Sequence, residues 1–288
     1  MRKSGLPDAE RISVRNVRKI SERKMTRKIV TLLTDFGTLD GYVGSIKGVL
    51  KSHYPNADVV DISHEVEPFD IRGAAFSLHS YYSFFPKGTI HIVVVDPGVG
   101  SSRRPLLVRT AQHYFIGPDN GVFKFIFNRE AYTAYQLDPK KINNSRSSFT
   151  FHGRDIFAPA AGKLMQGKSC EEIGTRLDER TEIPNVFYQK QSDGYLALEA
   201  VNIDRFGNII TGFSRRDMER MNKYAIDHVK VKDFSTNTLN SYYAEKNDGE
   251  LMVLWNSMEF LEIAAVNASA AKILKFNRAE DRVLISIR

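Results

Sequence analysis

The chain has 288 residues, 42% of them hydrophobic and 26% charged, with 41 Lys and Arg against 34 Asp and Glu for a formal net charge of +7. These are the proportions of an ordinary globular protein of one or two domains. No apolar run approaches the roughly 20 residues of a membrane-spanning helix, and a single cysteine, Cys170, excludes an internal disulfide framework or a cysteine-rich zinc site. Residues 1–28 hold ten basic and three acidic residues, and the rest of the chain is balanced at 31 of each. The basicity therefore belongs to an extension, and no tract of the body reads as a nucleic-acid groove.

Residues 1–28 lack the apolar core of a secretory signal. They read as a basic, disordered extension. A surface-binding arm and an upstream extension of a chain starting at Met25 are the alternatives. Residues 29–34 are a buried-strand type of run that ends at Asp35. The spacing of Val43, Ile46, Val49 and Leu50 predicts a helix over 42–53. A strand over 57–62 and a helix over 70–85 follow, with Pro86 just past the helix. Residues 89–95 form a β-branched run that ends on Asp96. Short strands are expected at 106–110 and 114–116, then a helix over 153–166. Strands alternating with helices predict an α/β domain with a largely parallel sheet over 29–190. The texture changes after Pro184. Residues 185–195 are polar and loop-like. Strands are then expected at 195–203, 208–213, 225–231, 251–254, 260–266 and 282–287, interrupted by one helix over 214–222. Residues 191–288 thus read as a smaller all-β, barrel-like domain.

In open α/β sheets, ligands gather beyond the carboxyl ends of the strands. Two strands here end in aspartate and a glycine-bearing turn: Thr34-Asp35-Phe36-Gly37 and Asp96-Pro97-Gly98-Val99-Gly100. A carboxylate at such a tip can accept both hydrogen bonds of a ribose diol. One strand-end aspartate is more often a turn cap, but two in one domain point to a site. Asp35-Phe36-Gly37 matches the kinase metal-binding tripeptide, but no glycine loop or catalytic loop precedes it. Gly98-Val99-Gly100 lacks the third glycine of a dinucleotide fingerprint and leads into a strand. His64 and His79 stand at no metal-ligand spacing, so no metal is expected. Thr150-Phe151-His152-Gly153-Arg154-Asp155 opens a helix, either as a cap with an ion pair or as an acid–base histidine aimed at a ligand. Asp204-Arg205-Phe206-Gly207-Asn208 reads as a hairpin turn, and it would also suit an amine and a purine edge.

Together with Tyr42-Val43-Gly44, His64-Glu65-Val66-Glu67-Pro68-Phe69-Asp70-Ile71, Gly88-Thr89-Ile90-His91, Arg103-Arg104 and Pro118-Asp119-Asn120-Gly121, these blocks resemble the S-adenosyl-L-methionine hydroxide adenosyltransferases, relatives of the fluorinases and chlorinases. The match runs from about Ile29 to the carboxyl terminus and thins after residue 213. The basic extension has no counterpart in it.

The resemblance implies hydrolysis of S-adenosylmethionine at the ribose 5′ carbon to adenosine and L-methionine. It also implies an α/β domain followed by a β-barrel, and a homotrimer with sites between neighbouring subunits. The family's Asp–Arg–His set maps to Asp96, Arg103 and His152. The sulfonium is already a good leaving group, so S-adenosylmethionine is the substrate and no cofactor is expected. What is hard is presenting a desolvated nucleophile in line with the breaking bond. Asp35 is implied to hold the ribose diol, Phe69 to stand beside sugar and sulfonium, and Asp204 to pair with the methionine ammonium. Phe206 would stack on adenine, Asn208 would bond its edge, Ser257 would meet the carboxylate, and Asn267 would lie near adenine. The halogenases carry Tyr where this chain has Asp96, Thr at Val99, Ser at Gly153 and Arg at Met258. A carboxylate at Asp96 repels a halide, which favours water over a halogenase reaction. A non-catalytic nucleoside-binding module is the other alternative. A cytoplasmic location is expected, with a small-molecule substrate and neither nucleic acid nor membrane as partner.

Overall fold

The computed structural model describes residues 28–142, 148–178 and 187–288. The basic extension lies outside the described residues except for Lys28, which opens the first strand. The first sheet is built from β1 (Lys28–Thr34), β2 (Ala57–Ser63), β3 (Ile90–Val94), β4 (Pro105–Thr110), β5 (Tyr114–Pro118), β6 (Tyr132–Leu137) and β7 (Gly174–Arg176). Their order is β2-β1-β3-β5-β4-β6-β7. The half containing β2, β1, β3 and β5 is parallel, and β4, β6 and β7 add to it antiparallel.

The period of two along each central strand divides the apolar residues between two layers. Val30, Leu32, Ile90, Ile92 and Val94 face one core, which the Tyr42–His53 helix covers with Ile46 and Leu50 and the Ala158–Met165 helix with Ala158, Ala160 and Ala161. Leu33, Val93 and Val95 face the other, covered by Ala74 and Leu78 of the Ile71–Tyr81 helix. Helices on both faces are what a buried parallel sheet requires.

The helix expected over 70–85 is shorter. Asp70 is its N-cap, accepting the Gly73 N–H at 2.9 Å, and a 3₁₀ turn, Tyr82–Phe84, follows before Pro86. Gly73 is required there, because a Cβ on it would stand 2.2 Å from Asp70 Oδ2. The helix expected over 153–166 begins as one π-helical turn, Gly153–Phe157, and continues as Ala158–Met165. The Lys124–Arg129, Pro139–Ile142 and Cys170–Ile173 helices, β6 and β7 have no sequence expectation. The three helices and β7 are too short to show a periodicity of their own.

The second part is all-β, as expected. Its strands are β8 (Tyr188–Lys190), β9 (Leu196–Leu198), β10 (Ala200–Ile203), β11 (Ile209–Ser214), β12 (Ile226–Val231), β13 (Phe234–Thr236), β14 (Leu251–Trp255), β15 (Phe260–Ala265) and β16 (Val283–Ile287). They form a four-stranded sheet, β10-β11-β15-β14, and a five-stranded sheet, β13-β12-β16-β9-β8. One core joins them, including Leu198, Ile209, Phe213, Val229, Val253, Leu261, Ile263 and Ile285. The strand expected over 195–203 is two strands, because the chain turns at Glu199 from one sheet into the other. Tyr188–Lys190, within the segment expected to be loop, pairs with β9.

The four-stranded sheet packs its other face on the first part. Val201, Ile210 and Phe260 meet Ala75, Phe76 and Phe125, and the Phe76 and Phe260 rings lie edge to face with centroids 5.5 Å apart. The Ile71–Tyr81 helix is therefore shared, with one side on each part. Among the described residues no helix is long and apolar enough to cross a membrane.

Candidate active site

From β1 the chain moves outward to β2, then returns across β1 to β3. The strand order reverses there, and the crevice between β1 and β3 is left uncovered at their carboxyl ends. Asp35 follows β1 and Asp96 lies just beyond β3, so the fold brings both aspartates to one crevice. A cleft of about 330 Å³ opens there, and Asp35, Tyr42, Phe69, Asp96, Val99 and His152 are among its walls.

The Asp35 turn is tied down locally. Phe36 N–H donates to Thr34 Oγ1 at 3.3 Å, and Gly37, at φ +64°, donates to the His64 carbonyl at 2.7 Å. Asp35 Oδ2 accepts the Phe69 N–H at 2.9 Å. Phe69 holds φ +68° and is 69% exposed at the cleft. A non-glycine residue in this region costs roughly 1–3 kcal/mol and persists only where its surroundings impose it. Phe36, Tyr42 and Phe151 form an adjoining aromatic wall with centroids 5.7, 5.8 and 5.4 Å apart.

Arg103 stands between Asp96 and His152. Its Nη2 donates to Asp96 Oδ2 and, at 2.9 Å, to His152 Nδ1, while Nη1 donates to the Arg104 carbonyl at 2.9 Å. Arginine only donates, so Nδ1 is the acceptor and the proton of neutral His152 sits on Nε2. Burial pulls the imidazole below its ordinary value and the neighbouring guanidinium adds to this, so His152 is neutral at pH 7. The Asp96 and Arg103 side chains are 5% and 7% exposed. Burial pushes the Asp96 carboxyl up, against the opposing pull of Arg103, and pushes the guanidinium down. Asp96 Oδ1 is buried without a hydrogen-bond partner among the described residues. A buried polar atom left without a partner is rare in folded proteins and often marks a functional site or a bound water.

His152 owes its place to the π-helical turn that begins one residue after it. Such turns re-aim side chains and occur often at functional sites. The ion pair of the first sequence reading is present, without a side-chain helix cap. Arg154 and Asp155 form the ion pair, at 2.6 Å, and Ser148 N–H caps Asp155 at 2.9 Å. His152, by contrast, faces the cleft. The glycine-rich turn after Asp96 comes close to the same segment: a Cβ on Gly100, which holds φ +78°, would stand 2.5 Å from the Phe149 carbonyl oxygen.

Residues with no role in the sequence reading complete the support. Asn120 Nδ2 donates to the Val95 carbonyl at 2.9 Å, one residue before Asp96. Asp119 accepts Arg104 Nε at 2.8 Å and donates its N–H to the Arg104 carbonyl at 3.0 Å, one residue after Arg103. Pro118-Asp119-Asn120-Gly121 is a motif of the sequence, but only the strand order shows that it backs Asp96 and Arg103. Tyr42 and Phe151 are likewise in quoted blocks, and nothing in their spacing shows that their rings meet.

The remaining candidates lie elsewhere. Asp204 Oδ1 accepts the N–H groups of Phe206 and Asn208, both at 2.9 Å, and Oδ2 accepts Asn208 Nδ2 at 3.0 Å. The carboxylate thus closes the β10–β11 turn, and Phe206 projects 77% exposed from it. Gly207, at φ +87°, lies against Ser269, where a Cβ would clash at 1.9 Å. Asn267, at φ +51° in the turn after β15, is near this end of the sheet and donates to Asp248 Oδ1 at 2.8 Å. Ser257 is exposed in the β14–β15 turn, at the opposite end of β15. The structure therefore gathers Asp35, Phe69, Asp96, Arg103 and His152 in one place and Asp204, Phe206, Asn208 and Asn267 in another, with Ser257 apart. Among the described residues no group of three or more His, Cys, Asp or Glu is placed to hold a metal ion.

Comparison with known proteins decides the family. The SAM hydroxide adenosyltransferase N-terminal domain matches residues 30–174, and the C-terminal domain of the same family matches residues 198–283. The chain belongs to the SAM hydroxide adenosyltransferase family. A relative from Methanocaldococcus jannaschii, named (R)-S-adenosyl-L-methionine hydrolase, is 34% identical over 274 residues, which are 89% of this chain and 95% of that protein. A fluorinase of an Actinoplanes species is more distant, 26% identical over 67% of this chain and 74% of its own. Among solved structures, an uncharacterized conserved protein from Thermotoga maritima superposes with a TM-score of 0.78 and 32% identity, covering 89% of this chain and 99% of that one. Within this hydroxide adenosyltransferase chain, the N-terminal match contains the whole Asp96–Arg103–His152 cluster, and the C-terminal match contains the Asp204–Asn208 turn.

Proposed function

We propose that this chain hydrolyses S-adenosyl-L-methionine to adenosine and L-methionine. The observation that carries the reading is Arg103 held between Asp96 and a neutral His152 at the β1–β3 crevice, in a chain of this family. Asp35 at the tip of β1 takes the ribose diol, and Phe69 with the Phe36–Tyr42–Phe151 wall receives the sugar and sulfonium. A cation against aromatic rings is favourable. Water attacks the 5′ carbon, the carbon–sulfur bond breaks with its electrons going to sulfur, and the attacking water loses a proton. Asp96 Oδ1 is the acceptor for that proton, because His152 Nδ1 is occupied by Arg103 and Nε2 already carries hydrogen. The raised Asp96 carboxyl is better matched to this task than an ordinary one. Arg103 keeps the carboxylate aimed and offsets the negative charge developing on the nucleophile.

Asp204 is proposed to pair with the methionine ammonium, and Phe206 and Asn208 to take the adenine, with Asn267 beside them. The reading does not depend on Ser257. These groups do not reach the cleft of their own chain among the described residues, and Phe206 offers an exposed ring. That favours a homotrimer in which one subunit's β10–β11 turn closes its neighbour's cleft. A cytoplasmic location is proposed on the buried free thiol of Cys170. The division into an α/β and a β-barrel-like domain is kept with it, with the boundary drawn before β8 because Tyr188–Lys190 pairs with β9.

Purified protein incubated with S-adenosylmethionine in ¹⁸O-labelled water tests the reaction. Adenosine and methionine in equal amounts, with the label on the 5′ hydroxyl, are expected. Absence of adenosine sinks the reading. Light scattering tests the trimer, against a subunit mass of 32.7 kDa.

A further inference from the structure

We infer that Arg278, in the all-β part, is a positioning residue for the ribose end of the cleft in the α/β part of the same chain. The inference rests on the proposed reaction for its assay. Arg278 follows the Ala270–Ile273 helix and reaches across the junction between the two parts. Its Nη1 donates to Asp70 Oδ2 at 2.5 Å and its Nη2 to Asp70 Oδ1 at 3.1 Å, a two-pronged pair. The same guanidinium donates to the Ala200 carbonyl at 3.3 Å and to the Val201 carbonyl, so it is fixed to β10 while it grips Asp70. A planar fork anchored at both ends transmits position in a way a flexible ammonium cannot.

What it grips is the residue after Phe69. Asp70 caps the Ile71–Tyr81 helix through Gly73 N–H and bonds back to the Glu67 carbonyl at 2.9 Å through its own N–H. Ile71 N–H returns to the Phe69 carbonyl at 3.0 Å. Phe69 is thus clasped from behind by Asp70 and from the front by Asp35 Oδ2. Its left-handed backbone is sustained by these two holds. If Asp70 is released, Phe69 can relax toward φ < 0, its N–H turns away, and Asp35 loses the bond that aims its carboxylate. Asp96, Arg103 and His152 stand beyond β3 and on the π-helical turn, outside this chain of contacts. Arg278 therefore governs how well the nucleoside is held and leaves the bond-breaking step alone.

The test is a kinetic comparison of the full-length wild type with Arg278→Ala, Arg278→Lys and Asp70→Asn, together with the affinity of each for adenosine by calorimetry. Arg278→Ala should raise KM for S-adenosylmethionine about tenfold and weaken adenosine by a similar factor, with kcat within about twofold. Arg278→Lys should recover part of the loss. Asp70→Asn keeps the cap but loses the charge, and it should resemble Arg278→Ala. Should Arg278→Ala fail to fold, the lysine and asparagine variants carry the same comparison. Unchanged KM and adenosine affinity, or a fall in kcat with KM unchanged, overturns the inference. A drop in melting temperature with no change in KM does the same. A wild type that binds adenosine but releases none from S-adenosylmethionine refutes the reaction and leaves the role of Arg278 readable in the adenosine affinities.

Discussion

In the cleft of the α/β part, a carboxylate, a guanidinium and an imidazole point inward and share hydrogen bonds, and burial moves all three from their ordinary ionisation. On the β10–β11 turn, a carboxylate spends three hydrogen bonds on its own loop, and an aromatic ring stands bare beside it. The first cluster has the shared hydrogen bonds and shifted ionisation that the proposed proton transfer calls for. The second is a turn closed by its own carboxylate, with an exposed ring that lies away from the cleft among the described residues. The contrast teaches that shared family membership does not place every candidate residue in one pocket of a single chain. The two groups sit on separate elements, each folded by its own local logic.

The sharpest way to break this contrast is to remove the proposed proton acceptor. Asp96→Asn should lower kcat by about 10³-fold while KM stays within a few-fold, since a positioned general base is worth roughly 10²–10⁴. An equal loss in Asp204→Asn would erase the distinction. Asp204→Asn is instead expected to raise KM about tenfold or more and to spare most of kcat. Co-expressing the two variants extends the test. If one subunit's turn closes its neighbour's cleft, mixed assemblies contain some sites intact in both halves, and adenosine release at substrate far below KM rises above that of either variant alone. Clefts closed by their own chain would give no rescue.

A smaller effect probes the support behind the first cluster. Asn120→Ala removes the bond to the Val95 carbonyl and should cost about tenfold in kcat by letting Asp96 drift, with KM little changed, measured as initial adenosine release. The smallest effect is in pH. Burial raises Asp96, and Arg103 opposes that rise. The acid limb of kcat/KM should therefore lie above the ordinary carboxylate value of about 3.9, activity falling as pH falls and the base becomes protonated. Arg103→Ala removes the opposing charge and should move the residual activity's acid limb to higher pH. A move to lower pH would mean that another group sets it.

Much of this is legible in the amino-acid sequence. The runs ending at Asp35 and Asp96 carry both the strand identity and the place where ligands gather, because β-branched residues bounded by an aspartate and a glycine turn have few other uses. The Asp96–Arg103–His152 grouping came from resemblance. Spacing alone could not bring residue 152 beside residue 103, since that depends on how a π-helical turn aims one side chain. The pairing of Asn120 with Val95 depends on β5 lying next to β3, a long-range choice that leaves no local mark. The bend at Glu199 is hidden for a related reason: each half-strand alternates correctly, and only the two destinations differ. Phe69 gave no warning of its backbone either. Nothing in an aromatic residue between Pro68 and Asp70 announces a left-handed conformation, which two distant partners impose.

The Arg278–Asp70 grip joins residues 208 positions apart, and that separation sets a sequence of events during synthesis. The first sheet has all its strands once β7 has been made at Arg176, but Arg278 comes about a hundred residues later. At roughly 5–20 residues per second, a nascent chain carries Asp96, Arg103 and His152 for several seconds before the ribose end of the cleft can be braced. The cleft is thus finished from its far end, and the last touch waits until the all-β part has been made.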